Sequence, residues 1–145
     1  MVAMVSLTAI LACGLFAGAA IYINLVEHPA RLSVGTEAAA KQWAPSYKRA
    51  TIMQASLALV ATVAGGLRWL QSQDALWLLG AGTIFLVIPF TLFVIRPTNT
   101  KLLEPGRDLS SKETRSLLES WGRLHAVRSV LSLVSTVIYI CTATH

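Results

Sequence analysis

An all-α integral membrane protein, built as an antiparallel bundle of four helices in one domain spanning residues 1–145, is the fold the sequence predicts. Three observations carry that expectation. Of 145 residues, 54% are hydrophobic and 13% charged, with a mean hydropathy of +0.61, against about 45–50% apolar and 25% charged in soluble domains. The apolar residues collect in four runs, each near the roughly 20 residues a helix needs to cross about 30 Å of hydrocarbon. The charged residues fall between those runs, in segments too short to be a separate soluble domain.

The first span is expected over residues 4–26, ended by Glu27, His28 and Pro29. No Lys or Arg precedes its apolar run, so it lacks the basic start of a signal peptide and reads as a retained span. Gly14 and Gly18 give it a small-residue motif, expected to pack the span inside the monomer. Residues 29–49 form the first connection, with an Ala-rich interfacial helix over 37–42, followed by Trp43 and Tyr47 at headgroup level. The second span, 51–70, carries Gln54 and the small residues Ala55, Ala58, Ala61, Ala64 and Gly65. A turn over 71–74 leads to the third span, 75–95, in which Pro89 predicts a kink. Residues 100–109 contain the turn signal Pro105-Gly106. Ser110 and Glu113 then read as a capping box opening one long helix to Cys141, whose membrane part is residues 122–141.

The net charge of +5 does not point to nucleic acid, because the basic residues alternate with apolar spans and act as topology determinants. Four spans bring both long connections to one end. All but one of the 12 Lys and Arg belong to that end, and only Arg68 lies at the other. The positive-inside rule makes the basic end cytoplasmic and both termini non-cytoplasmic. Cys13 and Cys141 lie inside apolar runs without metal or redox spacing and read as small buried hydrophobes.

Up-down threading also gathers the unusual polar residues at the basic end. On span one, Asn24, His28 and Arg31 follow i, i+4, i+7, with Glu27 at the edge of that face. On span four, Trp121, His125 and Arg128 repeat the spacing, and Ser132 and Ser135 continue it. Span two adds Tyr47 and Gln54; span three adds Thr91 and Asn99. Polar groups at membrane depth are costly and face a bundle interior or wet cavity, so a one-sided pocket near the cytoplasmic face is expected. Glu27, His28 and His125 are candidate metal donors, but no helix carries paired ligand spacing, which makes metal the weaker reading. His145 reads as a bystander. A lipid- or small-molecule-binding or transport protein, a metal-dependent oxidoreductase and a structural subunit are the competing functions. The nearly apolar outer halves of spans one and three speak against a through-pathway. A homo-oligomer stays open.

Three segments, N-L-V-E-H-P-A-R (24–31), R-P-T-N-T-K-L (96–102) and W-G-R-L-H-A-V-R (121–128), resemble the anthrone oxygenase-like family of small four-span membrane proteins, and the resemblance covers nearly the whole chain. It implies a four-helix fold and an oxygenase acting on a small, flat, hydrophobic polyketide within membrane lipid, with no organic cofactor. On these residues a chemistry follows as an expectation. His125 or His28 serves as general base, Arg128 and Asn99 stabilise an oxyanion, Trp121 and Tyr47 flank a flat ring, and Asn24 and Gln54 complete the binding surface.

Overall fold

The computed structural model of the protein describes residues 2–144, so the reading of His145 lies outside the described residues. Four helical rods, 2–33, 36–72, 75–102 and 112–144, are long and apolar enough to cross a membrane, which makes this a multi-pass integral membrane protein. No strand occurs among the described residues.

The first rod does not end at Glu27. Helix α1 (Val2–Tyr22) passes through a π turn (Ile23–Glu27) into α2 (His28–Ser33). The third rod repeats the device. Helix α4 (Ala75–Phe85) breaks at Leu86 ahead of Pro89, and α5 (Val87–Phe90) leads through a second π turn (Thr91–Ile95) into α6 (Arg96–Leu102). In each π turn the next amide reaches five residues back, His28 to Ile23 and Arg96 to Thr91, and a proline follows at once. Proline has no N–H to give the carbonyl four residues behind it. The π turn has already shifted the bonding pattern there, so the helix survives His28-Pro29 and Arg96-Pro97, where the sequence predicts it to stop.

The first connection is also shorter than expected. No separate interfacial helix forms over 37–42. After a turn at Val34-Gly35, α3 (Thr36–Ser72) runs unbroken, with exposed Pro45 inside it. Its 37 residues make a rod of about 55 Å, well beyond the hydrocarbon thickness. Gln73 in the left-handed conformation and the Asp74 cap, accepting from the Leu76 amide at 2.9 Å, close the next turn. The cap of α7 (Lys112–Thr144) is Ser111 rather than Ser110. The Ser111 hydroxyl accepts from the Thr114 amide at 3.1 Å, whereas Ser110 donates to Asp108.

Helix α1 packs against α3 and α7, and α4 packs against the same two. Two apolar cores result. The first centres on Cys13, Phe16, Ala58, Ala61, Trp77 and Tyr139. Tyr139 is fully buried, donates to the Ala61 carbonyl at 2.8 Å and fills space left by Gly65 and Gly80, where an added Cβ would come within 2.7 Å of its side chain. These glycines permit the close packing. The Gly14/Gly18 pair does so less than expected: Gly14 has ordinary contact with Thr136, and Gly18 faces open space. The second core holds Ile23, Ala39, Trp43, Ile95, Leu102, Leu118 and Trp121.

Candidate functional site

A polar layer lies where the two cores meet. Arg128 reaches the first core, its guanidinium 5.4 Å from the Phe16 ring centre, and the His125 ring lies 4.8 Å from Trp121 of the second. Helix α7 supplies His125, Arg128 and Ser129, spaced to share one face. The first π turn supplies Asn24, and α3 supplies Gln54.

Asn24 organises this layer. Its amide nitrogen donates to the Gly122 carbonyl at 2.8 Å, which fixes the orientation of the amide. The Asn24 oxygen therefore faces His125 Nδ1 at 2.8 Å and accepts the Ser129 hydroxyl at 2.6 Å. An amide oxygen only accepts, so His125 Nδ1 carries the hydrogen. The neutral imidazole then keeps its lone pair on Nε2. His125 is 1% exposed.

Arg128 is buried, donates to Gln54 Oε1 at 2.7 Å and leaves its Nε without a partner. Among the described residues no carboxylate stands within ion-pair distance of it. A buried cation without a counter-charge is costly, and at membrane depth such a group marks function. Arg31, by contrast, is paired with Glu27, whose carboxylate also accepts from Gln42 and Ser46.

His125, Arg128, Gln54, Tyr47, Trp121 and Arg31 line one hollow of about 10 Å³, room for about one water. The structure thus brings together most of the residues the sequence singles out. Asn24, Glu27, His28 and Asn99 are not among its walls. The His28 ring wedges against α7, with Nε2 donating to the Leu118 carbonyl at 2.9 Å. It lies 5.1 Å from Trp121 and so close to Gly122 that a Cβ there would sit 2.7 Å away. Asn99 is buried on α6 with neither amide atom partnered. The three candidate metal donors are engaged separately, and no group of three His, Cys, Asp or Glu gathers among the described residues. Trp121 is enclosed by His28, His125 and Trp43, and Tyr47 stacks on Trp43 at 5.0 Å. Both rings are therefore already engaged with protein aromatics, and both also border the hollow.

Sequence reasoning missed Ser129, Trp43 as packing partner of both aromatics, and the Ser46 and Gln42 contacts to Glu27. Ser129 was findable, standing four residues after His125. The others lie in a segment read as a connection, where helical spacing was not applied.

The anthrone oxygenase family profile matches residues 43–138, about two thirds of the chain. An anthrone oxygenase of Claviceps purpurea is 29% identical over 142 residues, covering 88% of this chain and 82% of that protein. Anthrone oxygenase tpcL of Aspergillus fumigatus is 27% identical over 141 residues, covering 90% and 88%. No solved structure gives a significant match. The matched segment contains Tyr47, Gln54, Asn99, Trp121, His125 and Arg128, and on this evidence the chain belongs to the anthrone oxygenase family.

Proposed function

We propose that the protein is a membrane oxygenase that converts the ring methylene of a flat anthrone-type ketone to a carbonyl with dioxygen. The observation that carries the reading is the pairing of His125, held as the Nδ1–H form by Asn24, with the buried, unneutralised Arg128 on the wall of the same hollow. A lone pair on imidazole suits proton removal near neutral pH. A preorganised guanidinium suits the negative charge that removal creates.

The steps balance as ketone plus dioxygen giving diketone plus water. His125 Nε2 takes one methylene proton, and the electron pair spreads to the ketone oxygen, where Arg128 stabilises it. The anion passes one electron to dioxygen. The ring radical and superoxide join in a C–O bond, and the peroxide takes the imidazolium proton. Nε2 then removes the second methylene proton as the O–O bond breaks, leaving a new carbonyl and hydroxide; the hydroxide takes that proton from the imidazolium and leaves as water, restoring neutral His125. The reading calls for no organic cofactor. Gln54 and Tyr47 bound the substrate, His28 holds Trp121 in place from behind, and Asn99 is assigned no step.

The reading includes an antiparallel bundle whose basic end is cytoplasmic, with both termini opposite; the gathering of every Lys and Arg but Arg68 at one end supports it. Oxygen uptake by the purified protein with an anthrone tests the chemistry. Uptake well above empty detergent, lost in His125→Ala, is expected. Wild-type uptake no faster than His125→Ala or detergent alone would refute it.

A further inference from the structure

The hollow beside His125 is too small for three fused rings, so the rings need a site of their own. Two larger spaces adjoin it. One is a groove of about 490 Å³ on the α1–α3 side, lined by Tyr22, Glu27, Gln42, Ser46, Arg49 and Met53 among others. By size it is the default choice, since ligand pockets run about 300–1,000 Å³. Yet Glu27 stands in its wall, and neither His125 nor Arg128 lines it. The other is a crevice of about 130 Å³ between α3 and the α5 region, with Phe16, Ala58, Val87 and Ile88 as apolar walls. Its floor is Gln54 and Arg128, the pair that also walls the His125 hollow. Its rim residues Ala55 and Leu92 are exposed, and its walls Phe16, Ala58 and Val87 belong to the first apolar core.

Resting on the oxygenase reading, we infer that this crevice is the ring-binding subsite, and that a fused-ring hydroxyaromatic ketone enters it sideways from the acyl-chain region. Charge chooses between the spaces. A substrate that becomes an anion on losing its proton needs a cation without a carboxylate beside it, and the crevice floor holds Arg128. Apolar walls suit a neutral ring system dissolved in lipid, whereas the groove offers Arg49, Gln42 and Glu27. At 130 Å³ the crevice is closed down. The Gln54–Arg128 hydrogen bond separates it from His125, and turning the Gln54 amide aside joins the two spaces around one ligand.

The test uses the whole protein in phosphatidylcholine vesicles. Ala55→Trp and Leu92→Trp each plug the rim at an exposed position, and Met53→Trp plugs the competing groove. Two readouts are taken: KM and kcat for an anthrone, and equilibrium binding of the fluorescent 1,8-dihydroxyanthraquinone, which needs no turnover. Either rim variant is expected to raise KM and the dye's Kd about tenfold or more with kcat little changed, the pattern of lost uniform binding; Met53→Trp should leave both at wild-type values. Wild-type KM and Kd in both rim variants, or the effect appearing in Met53→Trp instead, would overturn the inference. Dye binding that depends on Ala55 in a protein that consumes no oxygen would sustain the crevice and sink the oxygenase reading.

Discussion

Replacing Asn24 by leucine removes the one side chain that dictates which His125 nitrogen carries hydrogen. Three contacts go together: the 2.8 Å donation to Gly122, the 2.8 Å acceptance from His125 and the 2.6 Å acceptance from Ser129. A dry group left unpaired costs about 1–3 kcal/mol. Asn24 is only half-buried, so water recovers part of this, and a stability loss of about 2–4 kcal/mol is expected. The catalytic effect is separable. The bias toward the Nδ1–H form is that of one neutral hydrogen bond, about 0.5–1.5 kcal/mol. At tenfold per 1.36 kcal/mol, kcat should fall about 2- to 12-fold while KM stays near wild type. Asn24→Asp still accepts from His125 and Ser129, but it sets a carboxylate oxygen against the Gly122 carbonyl and a negative charge beside His125, so it should keep the Nδ1–H tautomer while lowering both stability and kcat. Oxygen uptake gives both constants. Nitrogen-15 shifts of labelled histidine, assigned with His125→Gln, report the tautomer directly. A folded Asn24→Leu protein with wild-type kcat, or a His125 protonated on Nε2 in the wild type, would refute the reasoning.

Gly122→Ala should drive its methyl into the His28 ring and cost about 1–3 kcal/mol by overpacking; His28→Ala in the same chain should restore part of the loss, read as coupling in a thermal double-mutant cycle. Arg128→Met removes a buried charge with no counter-charge but also leaves Gln54 Oε1 without its donor, so the melting temperature in detergent should change little while oxygen uptake is lost; a large fall in stability would show that the guanidinium is structurally neutralised. Outside the membrane, the Ser110 hydroxyl and then its amide hold the exposed Asp108 carboxyl below its usual range. The stability this contributes is present above the unfolded value, near pH 4, and is lost as pH falls through the depressed folded value. The melting-temperature gap between wild type and Asp108→Asn should therefore close on acidification, and a gap constant down to low pH would argue against it.

The four spans were legible because lipid demands long apolar runs, and runs survive any detail of packing. The meeting of Asn24, Gln54, His125 and Arg128 was legible for a related reason: polar residues at such depth have few places to go. What escaped the sequence was continuity. Pro29 and Pro97 read as ends because proline lacks a donor, but a π turn can absorb that loss, and Pro45 sits exposed inside an unbroken helix. Residues 36–49 therefore became a connection on paper and a helix in the structure, which hid Trp43, Gln42 and Ser46. The role of His28 escaped for a geometric reason. Its spacing from Asn24 assumes an α-helix, and the intervening turns are not α.

That irregularity sets a phase. One extra residue in a turn advances a helix by about 100°, so everything beyond Ile23–Glu27 is rotated relative to the membrane half of the same rod, and everything beyond Thr91–Ile95 likewise. The lipid-facing surfaces upstream and the inward-facing ones downstream are thereby decoupled. Losing a single residue inside either segment would leave the apolar half of the rod seated as before while swinging His28, or Asn99, to another bearing. Such turns, often found at functional sites, let a chain this short revise what its basic end presents without renegotiating its fit to the bilayer.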